Sequence, residues 1–328
     1  MLTRHWMEGF IMKINRRQFL QTVTGGGAML GLGFLTSGFR MEKREKVKLT
    51  VLHTNDVHSH LEPFPSNDPK YANLGGVERR AALIRSIRAK EKNVILIDAG
   101  DIFQGTPYFN MFRGEVEMKM MTAMGYEASA IGNHDFDGGL DNLAFQLQHA
   151  GFPLLCANYD FTGTPMEGKT IPYRIWEHEG VRTGIFGLGI ELAGLVDSRL
   201  YGKTVYQDPI IKSAEMVKTL RDGKKCDVVI CLSHLGYKYE NEKVSDMVLA
   251  KKSRGIDIII GGHTHSFLDK PVVVKNREGE DVVISQVGWA GIRLGKIEIF
   301  TDKISKEKTI ATASAEISEG VTYNSFGQ

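Results

Sequence analysis

Five apolar runs, spread over some two hundred residues, each end in or lead into a short polar motif, and that arrangement limits what the chain can fold into. The motifs are Asn55-Asp56-Val57-His58, Ala99-Gly100-Asp101, Gly132-Asn133-His134-Asp135-Phe136-Asp137, Ser233-His234 and Gly261-Gly262-His263-Thr264-His265. Short apolar runs without polar alternation read as strands buried on both faces. In open α/β sheets, ligands gather beyond the carboxyl ends of such strands. The pattern predicts strands at 47–53, 94–97, 128–131, 152–157, 183–188, 228–232 and 256–260. It predicts amphipathic helices at 76–90, 115–124, 140–150, 209–221 and 242–252. After residue 270 the character changes: 271–275, 281–287, 293–300 and 309–317 read as antiparallel strands joined by turns. A β-α alternation followed by a meander implies a mixed α/β class: a four-layer α-β-β-α sandwich of two stacked mixed sheets with helices outside.

The amino terminus is of another kind. Asn15-Arg16-Arg17-Gln18-Phe19-Leu20 precedes a glycine-rich, weakly apolar stretch from Val23 to Phe39. It holds too many glycines for a stable membrane span and resembles a twin-arginine export signal. Residues 1–40 are therefore expected to be a signal segment of an exported, periplasmic protein, and 41–328 a single domain. That leader holds five basic residues (Arg4, Lys13, Arg16, Arg17, Arg40) and one acid (Glu8), which leaves a slightly acidic body. Sequence-independent nucleic-acid binding needs a basic face, so no nucleic-acid partner is expected. Cys156, Cys226 and Cys231 are odd in number and match neither a disulfide framework nor a zinc pattern.

Taken singly, each polar motif has an ordinary explanation. A strand-end aspartate is commonly a turn or helix-cap residue, Asn133 a turn residue and His234 a surface histidine. Together they supply the mixed oxygen and nitrogen donors that suit Mn, Zn or Fe. In extended chain, residues i and i+2 share a face, so Asp56 and His58 can both reach one ion, and His263 and His265 again share one face. A carboxylate at Asp101 can bridge two cations, and Asn133 offers an amide oxygen. His60 is open between lining a phosphate pocket and ending a strand. His53 reads as a structural residue or one that backs the ligands, His149 as a helix cap or surface residue, His178 as part of a turn, and Arg79 and Arg80 as solvated in preference to phosphate-binding.

The ordered set Asp-x-His, Gly-Asp, Gly-Asn-His-Asp, His, Gly-His-x-His resembles the calcineurin-like metallophosphoesterases. Leu52 to Asp56, Ala99 to Thr106 and Ile131 to Asp137 narrow the likeness to the bacterial 5′-nucleotidase and UDP-sugar hydrolase branch, over about residues 47 to 300. The resemblance implies a catalytic domain with two divalent ions. Asp56, His58 and His265 would hold one, Asn133, His234 and His263 the other, and Asp101 would bridge them. It implies His134 and Asp137 as a catalytic pair, and gives Asp135 no ligand role. A hydroxide made between the ions would attack a nucleotide phosphoester in line, with His134 beside the leaving oxygen.

Relatives of this kind carry a second, carboxy-terminal domain that grips the nucleoside, whereas this chain ends about sixty residues after His265. Either a separate protein carrying that domain is a partner, or the open site takes another phosphoester. Three alternatives stay open: a 2′,3′-cyclic-nucleotide phosphodiesterase, a sulfur-oxidation hydrolase, and a non-catalytic subunit of a split nucleotidase.

Overall fold

A computed structural model describes residues 45–326; the expected signal segment lies outside the described residues. In chain order the strands are β1 (Lys46–Thr54), β2 (Val94–Asp98), β3 (Ala128–Ser129), β4 (Tyr159–Asp160), β5 (Tyr173–His178), β6 (Val181–Leu188), β7 (Val205–Tyr206), β8 (Val228–Ser233), β9 (Ile258–Gly261), β10 (Val272–Lys275), β11 (Asp281–Ser285), β12 (Arg293–Asp302) and β13 (Lys308–Glu316). The helices are α1 (Val77–Arg88), α2 (Pro107–Phe112), α3 (Glu115–Met124), α4 (Leu140–Gln146), α5 (Ser198–Tyr201), α6 (Pro209–Lys218) and α7 (Asp246–Lys252).

One sheet has the order β13-β12-β1-β2-β3 and the other β10-β11-β9-β8-β6-β5, with β4 and β7 forming a small ribbon. β1, β2 and β3 run parallel, as do β6, β8, β9 and β11. Antiparallel strands flank both sets. Three apolar clusters match the expected four layers. Val51, Ile97, Ile230 and Ile260 meet between the sheets. Leu52 and Leu96 pack on α1 and α3 through Leu83, Ile84 and Met121. Val229 and Ile259 pack against Leu220 and Leu249 on the opposite outer face.

The period of two in β1 explains this division. Val47, Leu49 and Val51 face the second sheet, while Leu52 faces the helices. His53 continues the inward set. Its Nε2 lies 3.1 Å from Ser285 Oγ of the second sheet, and burial lowers its pKa to about 3, so the ring is neutral. His53 is thus a polar rivet between the layers, in keeping with a structural role. Its ring fills the space over Gly295, its register partner on β12.

The structure departs from the sequence expectations in several places. Residues 152–157 form no strand and make isolated bridges at Leu154 and Leu155. The run there is buried, but Pro153 removes a ladder donor. The tail is not one meander. β10 and β11 join the second sheet, with β11 parallel to β9, while β12 and β13 cross to complete the first sheet. β5 and α2 were not anticipated, and His178 ends β5 rather than sitting in a turn. Arg80 is 2% exposed, on the buried face of α1 with Leu83, Ile84 and Ile87. Its guanidinium abuts Gly291 and acts electrostatically on Asp98, so it is not a solvated residue.

Gly295→Ala tests the interlocking of the two sheets. A Cβ there would lie 2.1 Å from His53 Nε2. The variant should lose about 1–3 kcal/mol, read from its urea midpoint, and an unchanged midpoint would refute the assigned contact.

Candidate functional site

The parallel strands of both sheets point their carboxyl ends the same way, so the loops after β1, β2, β3, β8 and β9 converge. They bring the predicted residues together in two groups. Asp56, His58 and His265 have ligand atoms within 4.8 Å of one another, as do Asp101, His234 and His263. Asn133 joins the second group, its Oδ1 2.7 Å from His263 Nδ1. Asp101 Oδ2 lies 3.0 Å from His234 Nε2 and 3.7 Å from His58 Nε2, so one carboxylate reaches both groups.

The route to this convergence differs from the one read in the sequence. Asp56 and His58 are not in extended chain. Their φ angles are 51° and 50°, in the left-handed region, as are those of Asp101 (57°), His263 (70°) and His265 (51°). Non-glycine residues rarely adopt that conformation, Asp and His more readily than most. Tight turns thus fold each motif back toward the strand end, and the surrounding hydrogen bonds must hold the strain.

The bonds that hold it centre on Asp135. This wholly buried carboxylate accepts the amide N–H groups of Gly132 (2.8 Å), Asp101 (3.1 Å), Ile102 (2.8 Å) and Phe103 (3.2 Å). Burial and the adjacent Asp101 push its pKa up to about 7, against the pull of those donors. Gly132 permits the close approach, because a Cβ there would lie 2.1 Å from Asp101 Oδ1. Two further braces come from residues given no role in the sequence reading. Asn55 Nδ2 donates to Asp56 Oδ2 and to the Gly288 carbonyl, both at 2.6 Å, while its Oδ1 accepts the Val287 N–H. Gln286 donates to the Gly262 carbonyl (2.7 Å) and accepts the Ser266 N–H. Asn55 stood inside a motif and was legible as a polar neighbour. Gln286 carried no local signal, since it is brought in by β11 from the tail.

The donor chemistry fits divalent cations. His234 is wholly buried, and its Nδ1–H donates to the Ala99 carbonyl at 2.7 Å. That bond fixes the tautomer and leaves the Nε2 lone pair free. Nε2 has no hydrogen-bond partner in line, although Asp101 Oδ2 is near. His58 is arranged alike, with Nδ1 on the Phe103 carbonyl (3.2 Å) and Nε2 3.0 Å from His265 Nε2. With Nδ1 committed to that carbonyl, His58 Nε2 presents its lone pair beside His265 Nε2, an arrangement that suits ligation. The charge balance agrees. Burial opposes charge on His234, yet Asp101, Asp56 and the Ala99 carbonyl together lift its pKa to about 10. Burial, with the Asp101 charge, raises Asp56 to about 8 against His234 and Asn55. Cations held there would offset the same buried acids.

His134 stands at the rim, its side chain 39% exposed and its ring 5.2 Å from that of His58. Its Nδ1–H donates to Asp137 Oδ2 at 2.8 Å, and this bond outweighs partial burial to raise its pKa above the ordinary imidazole value. Its main-chain N–H donates to Asp101 Oδ1 at 2.7 Å, which fixes the loop independently of the ring. His60 turns its Nδ1 to the His58 carbonyl and stacks on Phe64, so it belongs to an aromatic group beside the site. A cavity of about 450 Å³ lies behind the His234 loop, bounded by Glu191, Asp208, Leu235, Glu242 and Lys243. Its acidic lining is poorly matched to phosphate.

Asp135→Ala would leave four buried amides without an acceptor. It should cost roughly 3 kcal/mol or more, whereas Asp101→Ala should keep the fold and lose bound metal. Thermal melts paired with elemental analysis check both; an Asp135→Ala protein as stable as the parent would remove that residue from its central place.

Comparison with known proteins agrees with this geometry. The calcineurin-like phosphoesterase family matches residues 49–267, more than half of the chain. The snake venom 5′-nucleotidase of Gloydius brevicauda is 35% identical over 280 residues, covering 78% of this chain and 46% of the relative. The trifunctional nucleotide phosphoesterase YfkN of Bacillus subtilis is 32% identical over 288 residues, covering 78% of this chain and 18% of that one. The crystal structure of a 5′-nucleotidase precursor from Thermus thermophilus superposes with a TM-score of 0.73 at 34% identity, over 81% of this chain and 54% of the other. The chain thus spans about half the length, or less, of these relatives. With its five motifs gathered at one edge of two stacked sheets, the chain belongs to the calcineurin-like phosphoesterases, and over this domain it is similar to 5′-nucleotidases.

Proposed function

We propose that this protein is an exported phosphoesterase that hydrolyses nucleotide phosphoesters with two divalent cations, Mn, Zn or Fe. The observation that carries the reading is the sharing of Asp101 between two donor groups, with the His134–Asp137 pair at their rim. Asp56, His58 and His265 would hold one ion, Asn133, His234 and His263 the other, and Asp101 both. Two ions so held would supply a nucleophilic oxygen at neutral pH and would neutralise charge on the phosphoryl group.

The chain's own groups do the rest. The His134 imidazole, held by Asp137, would donate its Nε2 proton to the departing ester oxygen. The buried walls around Asp56, Asp101 and His234 exclude bulk water, which strengthens the electrostatics inside. The leader with Arg16 and Arg17 supports export, as a folded, metal-loaded domain (residues 41–328), to the periplasm. Among the described residues no helix is long and apolar enough to cross a membrane. The relatives reach well beyond the matched segment, and we propose a protein portion equivalent to that remainder, joined or separate, as the partner in nucleoside recognition. A non-catalytic role is disfavoured because all nine expected positions are filled and converge.

Two variants test the scheme with AMP as substrate. His134→Ala should lower kcat about 10²–10⁴-fold while metal content holds, because the Asp101 contact is made by the main chain. Unaltered turnover would sink the role of His134. Asp137 keeps the imidazole protonated to higher pH than usual. Asp137→Asn should therefore move the alkaline limb of the kcat profile to lower pH, and an unmoved limb would separate Asp137 from the titrating group.

A further inference from the structure

Beside the candidate metal site runs a wall of aromatic rings that the proposed chemistry does not use. It begins on His265, whose ring lies parallel to Trp289 at 5.6 Å with an interplanar angle of 5°. Trp289 in turn meets His60 (5.1 Å), Phe64 (5.9 Å) and Tyr71 (6.1 Å), and Tyr71 stacks with Phe267 at 6.1 Å. These separations fall in the range of favourable ring pairs. All of these rings are half-buried, and none belongs to the three buried clusters. The core therefore does not explain them. Contiguous half-exposed apolar surface next to a polar site marks a ligand groove.

The wall is built, not incidental. Its rings come from three distant segments. Phe64 is pinned by main-chain bonds to Leu74 and Asn73, closing the loop on itself. The Asp68 carboxylate accepts the Lys70 and Tyr71 N–H groups at 2.9 and 2.6 Å, which sets the direction of Tyr71. Phe267 bridges to Val287, and its ring lies over Gly288, where a Cβ would come within 2.2 Å. Lys70 and Arg293 lie over the outer rings, each 5.0 Å from the ring centre. A rigid surface of this kind loses little conformational freedom when a flat group stacks on it.

We propose that this wall is a stacking subsite for a planar aromatic group carried by the phosphoester, either a nucleobase or an aryl ring, with Trp289 and Tyr71 as its main contacts. The subsite belongs to this domain itself, and its use in turnover rests on the phosphoesterase reading. Its position one ring beyond His265 lets one substrate engage the metal site and the wall together.

The test compares kcat/KM of the metal-loaded protein on AMP, 4-nitrophenyl phosphate and ribose 5-phosphate, for the parent, Trp289→Ala and Tyr71→Ala. Stacking predicts that both variants lose roughly tenfold or more on aromatic esters relative to ribose 5-phosphate, mainly through KM. Loss on AMP alone identifies a nucleobase, and loss on both esters any aryl ring. Equal losses on all three substrates mean that the rings only brace His265 and overturn the proposal, as does no loss. Tyr71 does not touch His265, so its variant separates stacking from disturbance of that ligand. Equilibrium dialysis with adenosine and 4-nitrophenol, which carry no phosphate, reads the wall apart from the chemistry. Binding that Tyr71→Ala weakens sustains the subsite even if no ester is hydrolysed, and absence of binding in an inactive protein refutes it.

Discussion

Buried negative charge is the constraint on which this architecture turns. Asp56, Asp101 and Asp135 lie within one dry cluster, each about 1% exposed or less. Carboxylates taken out of water are tolerated only when hydrogen-bonded, paired or bound to metal. Asp135 takes the first course, by gathering four amides from two loops. Asp101 and Asp56 are less fully satisfied: Asp101 keeps Oδ2 facing the His234 and His58 imidazoles, and Asp56 Oδ1 faces His265 and His234 with one main-chain N–H, that of His263, as its donor. The fold therefore divides its acids into one that organises the backbone and two that remain available.

The strand order makes that division possible. Parallel strands end on one edge, and their loops leave the sheet without pairing partners. Five such loops must satisfy their own polar groups, and they do so through one another. Asp56 takes the His263 N–H and gives its carbonyl to Ala290, while Asn55 ties the same turn to Gly288. The crossover of the tail is as important as the β-α alternation. β11 delivers Gln286 and the Trp289 segment, and β12 carries the chain back to β1. The segment that braces the site is thus held by both sheets at once.

The parts of the molecule encoded locally were readable. The apolar runs 94–97, 183–188 and 228–232 lie within β2, β6 and β8, and helix 115–124 coincides with α3. The donor residues were readable because side-chain type and order are themselves chemical statements. What escaped was set by tertiary context. The buried Arg80 looked like its neighbour Arg79, because periodicity does not say which of two adjacent arginines turns inward. Gln286 lay in a plain strand-like run. The left-handed turns at Asp56, His58, His263 and His265 carry no glycine at those positions to announce them, so extended chain was the natural reading. The aromatic wall was invisible for a similar reason, since its members stand at 60, 64, 71, 267 and 289 and meet only when both sheets are assembled.

Those left-handed turns also bear on how stability and chemistry are linked. Each strained non-glycine residue costs on the order of 1–3 kcal/mol, and five of the candidate ligands adopt that conformation. Left-handed non-glycine residues also occur away from the site, at Asn73, Arg113, Glu179, Lys225 and Lys306. At the site the strained turns are tied by short bonds from Asp135, Asn55 and Gln286. Candidate ligands held in this way would not have to reorganise to receive cations, so binding free energy would not be consumed in ordering the loops. Conversely, cations that favour only the assembled geometry stabilise the strained turns that create it.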